Sequence, residues 1–115
     1  MKKTQQDIKD IIKECPKTFE AIKQYYLNKE KGMDAFVTDN LITLSISHSP
    51  YSTFKYFDTV DLITTLHYDY LTSKFNVCIN GESIEDGEDW LGSLDREEAL
   101  ILAVIYLFEK HEKTL

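Results

Sequence analysis

Ten consecutive apolar residues, Ala99 to Phe108, follow a stretch that carries the marks of a helix start. Asp95 stands where an N-cap accepts backbone N–H groups, and Glu98 falls at the third helical position. The acids of this first turn lie at the positive end of the helix dipole, while Lys110, His111 and Lys113 complement its negative end. A helix that is apolar on every side has no wet face. It must be enclosed between a sheet and other helices, or form the seam of a dimer or partner interface. A charge at Leu102 or Ile105 is therefore expected to be costly, and Glu112→Ala nearly silent.

The rest of the chain has to supply that enclosure. Thr4 and Asp7 have the spacing of a capping box, and Ile8, Ile11, Ile12 and Cys15 then share one helical face. Pro16 interrupts this stripe and suits the first turn of a second helix, in which Phe19, Ile22 and Tyr26 form the next stripe before residues 29–32 end it. In the middle the period changes to two. Residues 41–47 alternate with Ile42, Leu44 and Ile46 on one face, which predicts a strand, linked through Asp39 and Asn40 to a short strand at residues 35–38. Residues 60–70 alternate again, and a turn at Thr72, Ser73 and Lys74 leads into Phe75, Val77 and Ile79, which predicts a hairpin. The aromatic segment between them, residues 49–57, has a possible helix start at Ser49 and Pro50. The expected fold is α+β: two short N-terminal helices, an antiparallel sheet of three to five strands, and the long apolar C-terminal helix packed on the sheet.

At 115 residues, the chain has room for one modest core and one domain, residues 1–115. Its longest apolar run is about half of the roughly 20 residues that span a bilayer, and the lysines at the start are followed by polar residues rather than a signal region. A cytosolic protein that engages no membrane is expected, with Cys15 and Cys78 as reduced thiols. The net charge is −7, unevenly spread: residues 1–34 hold eight lysines and six acids, whereas residues 35–115 hold five cations and fourteen acids. Such a surface repels a phosphate backbone, so direct nucleic-acid binding is disfavoured and charged partners should be basic.

The acids concentrate just before the apolar helix. Glu82, Glu85, Asp86, Glu88, Asp89, Asp95, Glu97 and Glu98 face a single cation, Arg96. Three readings of this stretch differ in chemistry. A hard-cation site would need the D-x-D-x-D-G order of a calcium loop, which residues 80–90 do not reproduce, so no metal site is assigned. A solvated loop would only keep the protein soluble. An acidic surface would engage basic residues of another protein, speeding encounter and rejecting wrong partners. On that third reading Glu82, Glu85, Asp86, Glu88, Asp89 and Asp95 are partner-binding residues. Trp90, the single tryptophan, is then an interface anchor, its alternative being a lid over the core.

Nothing else in the chain points to chemistry. His48, His67 and His111 share no ligand spacing; His67 and Asp69 make only a two-member pair, too few for zinc. No positioned nucleophile or Gly-rich phosphate loop accompanies them, so no catalytic residue and no cofactor are assigned. Tyr51, Phe54, Tyr56 and Phe57 have one basic neighbour, Lys55, and read as core or sheet cover rather than a base-stacking platform.

From Tyr68 to Glu109, a hairpin is followed by Trp90, then Ser93-Leu94-Asp95-Arg96-Glu97-Glu98-Ala99-Leu100, then a long apolar helix. This pattern resembles small acidic proteins encoded by phages and mobile elements, in which a W…S-x-x-x-E-E-A-L helix start follows a hairpin. The resemblance implies a setting and no functional residues. Such proteins include inhibitors of host defence, among them anti-CRISPR proteins that mimic or displace nucleic acid. The expected function is thus a non-enzymatic inhibitor that places its acidic surface in the basic groove of a bacterial protein such as a CRISPR effector. The alternatives are an immunity protein against a toxin nuclease, and a small homodimeric structural or regulatory domain joined through Ala99 to Phe108.

Overall fold

In the computed structural model, residues 4–29, 39–71, 73–84 and 95–115 are described, and they form an α+β fold. Helix α1 (Gln5–Glu14) begins at the Thr4 cap, whose N–H donates to Asp7 Oδ2 at 2.7 Å. Its stripe of Ile8, Ile11 and Ile12 is buried. Helix α2 (Pro16–Lys29) opens on Pro16, where a missing N–H costs nothing, and buries Thr18 and Ile22. Between the two helices lies Cys15. Burial, followed by the carboxylates of Glu112, Glu109 and Glu14, pushes its thiol up to about 11, so it is a protonated core group at neutral pH.

Residues 41–47 are helical, contrary to the expected strand. Helix α3 (Asp39–His48) buries Ile42, Ile46 and Ser47 and leaves Leu41 and Leu44 exposed. A period-two pattern this short contains the i, i+4 pair Ile42 and Ile46, which serves either geometry. Packing decided between them: α3 lies against α1, and Asp39 in its first turn pairs with Lys23 of α2 at 2.8 Å. The short strand expected at residues 35–38 lies outside the described residues. A 3₁₀ turn at Pro50–Thr53 then leads into α4 (Phe54–Thr59), which buries Tyr56 and Phe57.

Strands β1 (Thr64–Asp69) and β2 (Lys74–Ile79) form the predicted hairpin in an antiparallel register that sets Tyr68 opposite Phe75 and Asp69 opposite Lys74. A two-residue strand, β3 (Glu82–Ser83), extends it through a second tight turn at Asn80 and Gly81. Both turn residues have positive φ, 54° and 82°, the left-handed backbone that an Asn-Gly pair tolerates. The Asn80 side chain also accepts from Ile63 N–H and donates to the Asp61 carbonyl, which ties the entry of β1 to this turn. The sheet of the described residues is therefore this hairpin with a two-residue extension, since residues 41–47 do not join it.

Helix α5 (Arg96–Glu112) packs against α1, α2, the 3₁₀ turn and β2. Ala99, Ile101, Leu102, Ala103, Val104, Leu107 and Phe108 are all buried within the one chain, leaving Leu100, Ile105 and Tyr106 half-buried. Most of the run weighed as a homodimer seam, residues 99–108, is thus buried within the one chain.

Glu112 was expected to be dispensable, and the fold corrects this. Its carboxylate accepts from Thr18 N–H at 2.8 Å, the Thr18 hydroxyl at 2.9 Å and Lys17 N–H at 3.2 Å, capping the start of α2 from the far end of the chain. Partial desolvation raises the Glu112 pKa, but the Thr18 and Lys17 hydrogen bonds outweigh it and the net shift is downward. Glu112→Ala should then cost about 1–2 kcal/mol, the usual worth of a helix cap, seen as a fall in melting temperature of roughly 4–8 °C for each kcal/mol. Because the folded pKa is lowered, this stabilisation is complete above the ordinary carboxylate range and is lost as pH falls through the lowered value. Melting curves at neutral and acid pH should show the gap between wild type and variant closing in acid.

Candidate interaction surface

The acidic stretch leaves the sheet at β3 and ends at the start of α5. Glu82, paired in register with Ile79, is exposed. Asp95 is exposed at the N-cap of α5 in extended backbone, and its Oδ1 accepts from Glu98 N–H at 2.8 Å, so this candidate partner residue also holds the helix end. Glu97 is exposed and Glu98 half-buried. The remaining predicted partner residues, Glu85, Asp86, Glu88, Asp89 and Trp90, lie outside the described residues.

Arg96, the one cation of the stretch, is held by the hairpin. Its guanidinium carbon sits 5.2 Å from the centre of the Phe75 ring, the geometry of a cation–π contact. Arg96 and Glu97 also line a cleft of about 320 Å³ with Leu100, Gln5, His48 and Tyr51. The start of α5 thus joins an apolar cleft on one side to the hairpin's aromatic face on the other. Sequence reasoning missed this second partner. The hairpin's end carries Tyr70 and Leu71, 86% and 97% exposed, beside Tyr68 at 40%. A strand pattern shows which residues share a face, but not how far the strand runs beyond the body that covers it.

The three histidines stand apart. His48 closes α3, with Gln5 Nε2 3.3 Å from its Nδ1; His67 is exposed on β1; and His111 is buried near the end of α5. Among the described residues no three His, Cys, Asp or Glu side chains gather as a metal would require. Nor is any described helix long and apolar enough to cross a membrane.

His111 has a structural task. Burial lowers its pKa and the neighbouring Glu112 carboxylate raises it, the net being downward from 6.5, so the ring is neutral at physiological pH. The Tyr56 hydroxyl, whose own pKa burial raises, lies 2.7 Å from Nε2, and the Thr114 hydroxyl, committed as donor to the His111 carbonyl, lies 3.3 Å from Nδ1. That arrangement assigns the proton to Nδ1 and makes Nε2 the acceptor. With its folded pKa below 6.5, His111 binds fewer protons in the native chain than in the unfolded one, so stability should fall as pH drops past that value. Denaturant melts between about pH 7 and pH 5 should show this slope, and His111→Phe should flatten it.

No protein family, curated protein or solved structure matches the chain.

Proposed function

We propose that this is a non-enzymatic binding protein that sets its acidic surface, Glu82 to Glu98, into a basic groove of a protein partner, with carboxylates in the place of a nucleic-acid backbone. The carrying observation is that both ends of the stretch stand in solvent, at Glu82 on the sheet edge and at Asp95 and Glu97 on the helix start. An apolar cleft and exposed aromatic rings beside them offer the desolvated contact that charges alone do not provide. The resemblance to phage and mobile-element proteins supplies the biological part of the reading: inhibition of a bacterial defence protein such as a CRISPR effector, in the host cytosol.

The test replaces Glu85, Asp86, Glu88 and Asp89 by Ser. The variant should fold as the wild type does, capture less partner from a bacterial lysate, and lose much of the salt sensitivity of that capture, since exposed charges are screened beyond a Debye length of about 8 Å at physiological salt. Capture unchanged at low salt would make this acidic stretch a solubility device. Direct binding of double-stranded DNA at physiological salt would contradict the reading equally.

A further inference from the structure

We propose that the aromatic end of the β1–β2 hairpin, joined to the start of α5 through Arg96, is a docking surface for an arginine-bearing segment of a partner protein. This deepens the acidic-surface reading and rests on it.

The register places Tyr68 opposite Phe75, and alternation brings Tyr70 to the same face, whereas Asp69 and its opposite number Lys74 belong to the other face. On that face the rings meet edge to face, Tyr68 with Tyr70 at 4.9 Å and 81°, and Tyr68 with Phe75 at 5.0 Å and 63°. Farther along the hairpin the same face is covered, with Val77 and Ile79 buried; at its end it is open, with Tyr70 86% exposed. An exposed cluster of large apolar side chains marks an interaction site more often than a solvated end. Edge-to-face packing also holds the rings in place before binding, which lowers the ordering cost of association.

The choice of occupant comes from charge. The cluster already takes one guanidinium, that of Arg96 on Phe75, and Tyr68 and Tyr70 continue the same set of rings. Asp95 and Glu97, both exposed, flank Arg96 in the chain, so the helix start beside the Phe75 ring is net negative. A planar guanidinium suits these rings better than an ammonium, because it stacks flat on an aromatic face as that of Arg96 does on Phe75. A second copy of this chain would bring another net −7 against the same acids, and a nucleic acid would bring phosphates.

Fluorescently labelled nonapeptides of arginine and of lysine, titrated into the full chain and read by anisotropy, test the proposal. The arginine peptide should bind about fivefold more tightly, the worth of a cation–π contact near 1 kcal/mol. The double variant Tyr68→Ser, Tyr70→Ser should lose that preference and keep the salt-sensitive binding of both peptides. Should the double variant melt early, Tyr70→Ser alone carries the same readout, since that ring is almost fully exposed. Equal binding of the two peptides, or a preference unchanged in the tyrosine variants, would overturn the aromatic dock. If both peptides still weaken on replacing Glu85, Asp86, Glu88 and Asp89 by Ser, the acidic-surface reading survives that result. Binding of neither peptide would overturn both. Self-association of the wild type in sedimentation, abolished by Tyr70→Ser, would assign the face to a second copy instead.

Discussion

Leu102→Asp is expected to destabilise the protein by about 4–5 kcal/mol, which would consume most of the stability of a small domain. Leu102 is 5% exposed in the middle of α5, where the helix is enclosed by α1, α2 and β2. A carboxylate there either loses its hydration unpaired or takes up a proton, and both cost free energy. The contrasting substitution is Leu71→Asp at the hairpin turn. That side chain is 97% exposed, so the change should stay within roughly 0.5 kcal/mol. Denaturant melts of the two variants read the difference directly. Equal midpoints would mean that α5 is not enclosed as described.

Phe57→Ala should cost about 3–5 kcal/mol, the range for deleting a buried aromatic ring whose cavity collapses only partly. Phe57 is fully buried and meets Tyr56, Phe108 and His111 edge to face at centroid distances of 5.3, 5.9 and 6.0 Å. It joins the short helix α4 to the end of α5, so its loss should loosen both. The measurement is again an equilibrium melt, with Phe57→Leu as comparison. Leucine restores part of the volume and should recover part of the loss. A cost below 1 kcal/mol would show that the aromatic cluster repacks freely.

The elements legible from sequence were those whose signal is local. The cap at Thr4, the proline at the start of α2, the Asp95 cap of α5 and the alternation of β1 and β2 each come from neighbouring residues acting on their own backbone. Residues 41–47 were misread because a seven-residue alternation also holds an i, i+4 pair, and no local rule ranks the two. Asn80 and Gly81 are a strong two-residue turn signal, and their positive φ angles identify them as the hinge between β2 and β3.

The candidate site divides in the same way. Charge is a sum over residues, so the acidic stretch before α5 could be read, and basic partners expected, from composition alone. Where an individual group ends up depends on chain segments far away in sequence. Glu112 caps a helix that begins near the other end of the chain, Arg96 lies on the ring of Phe75, and the hydroxyl of Tyr56 meets Nε2 of His111. The sequence by itself determined the α+β class, the starts of α1, α2 and α5 and the sign of the net charge, because caps, periodicity and net charge are short-range or additive. Only the tertiary structure decided that residues 41–47 are helical, that most of α5 is buried in the protein's own core, and that the hairpin's aromatic end stays open. Each of these depends on which distant surfaces meet, and burial is a property of the packed whole.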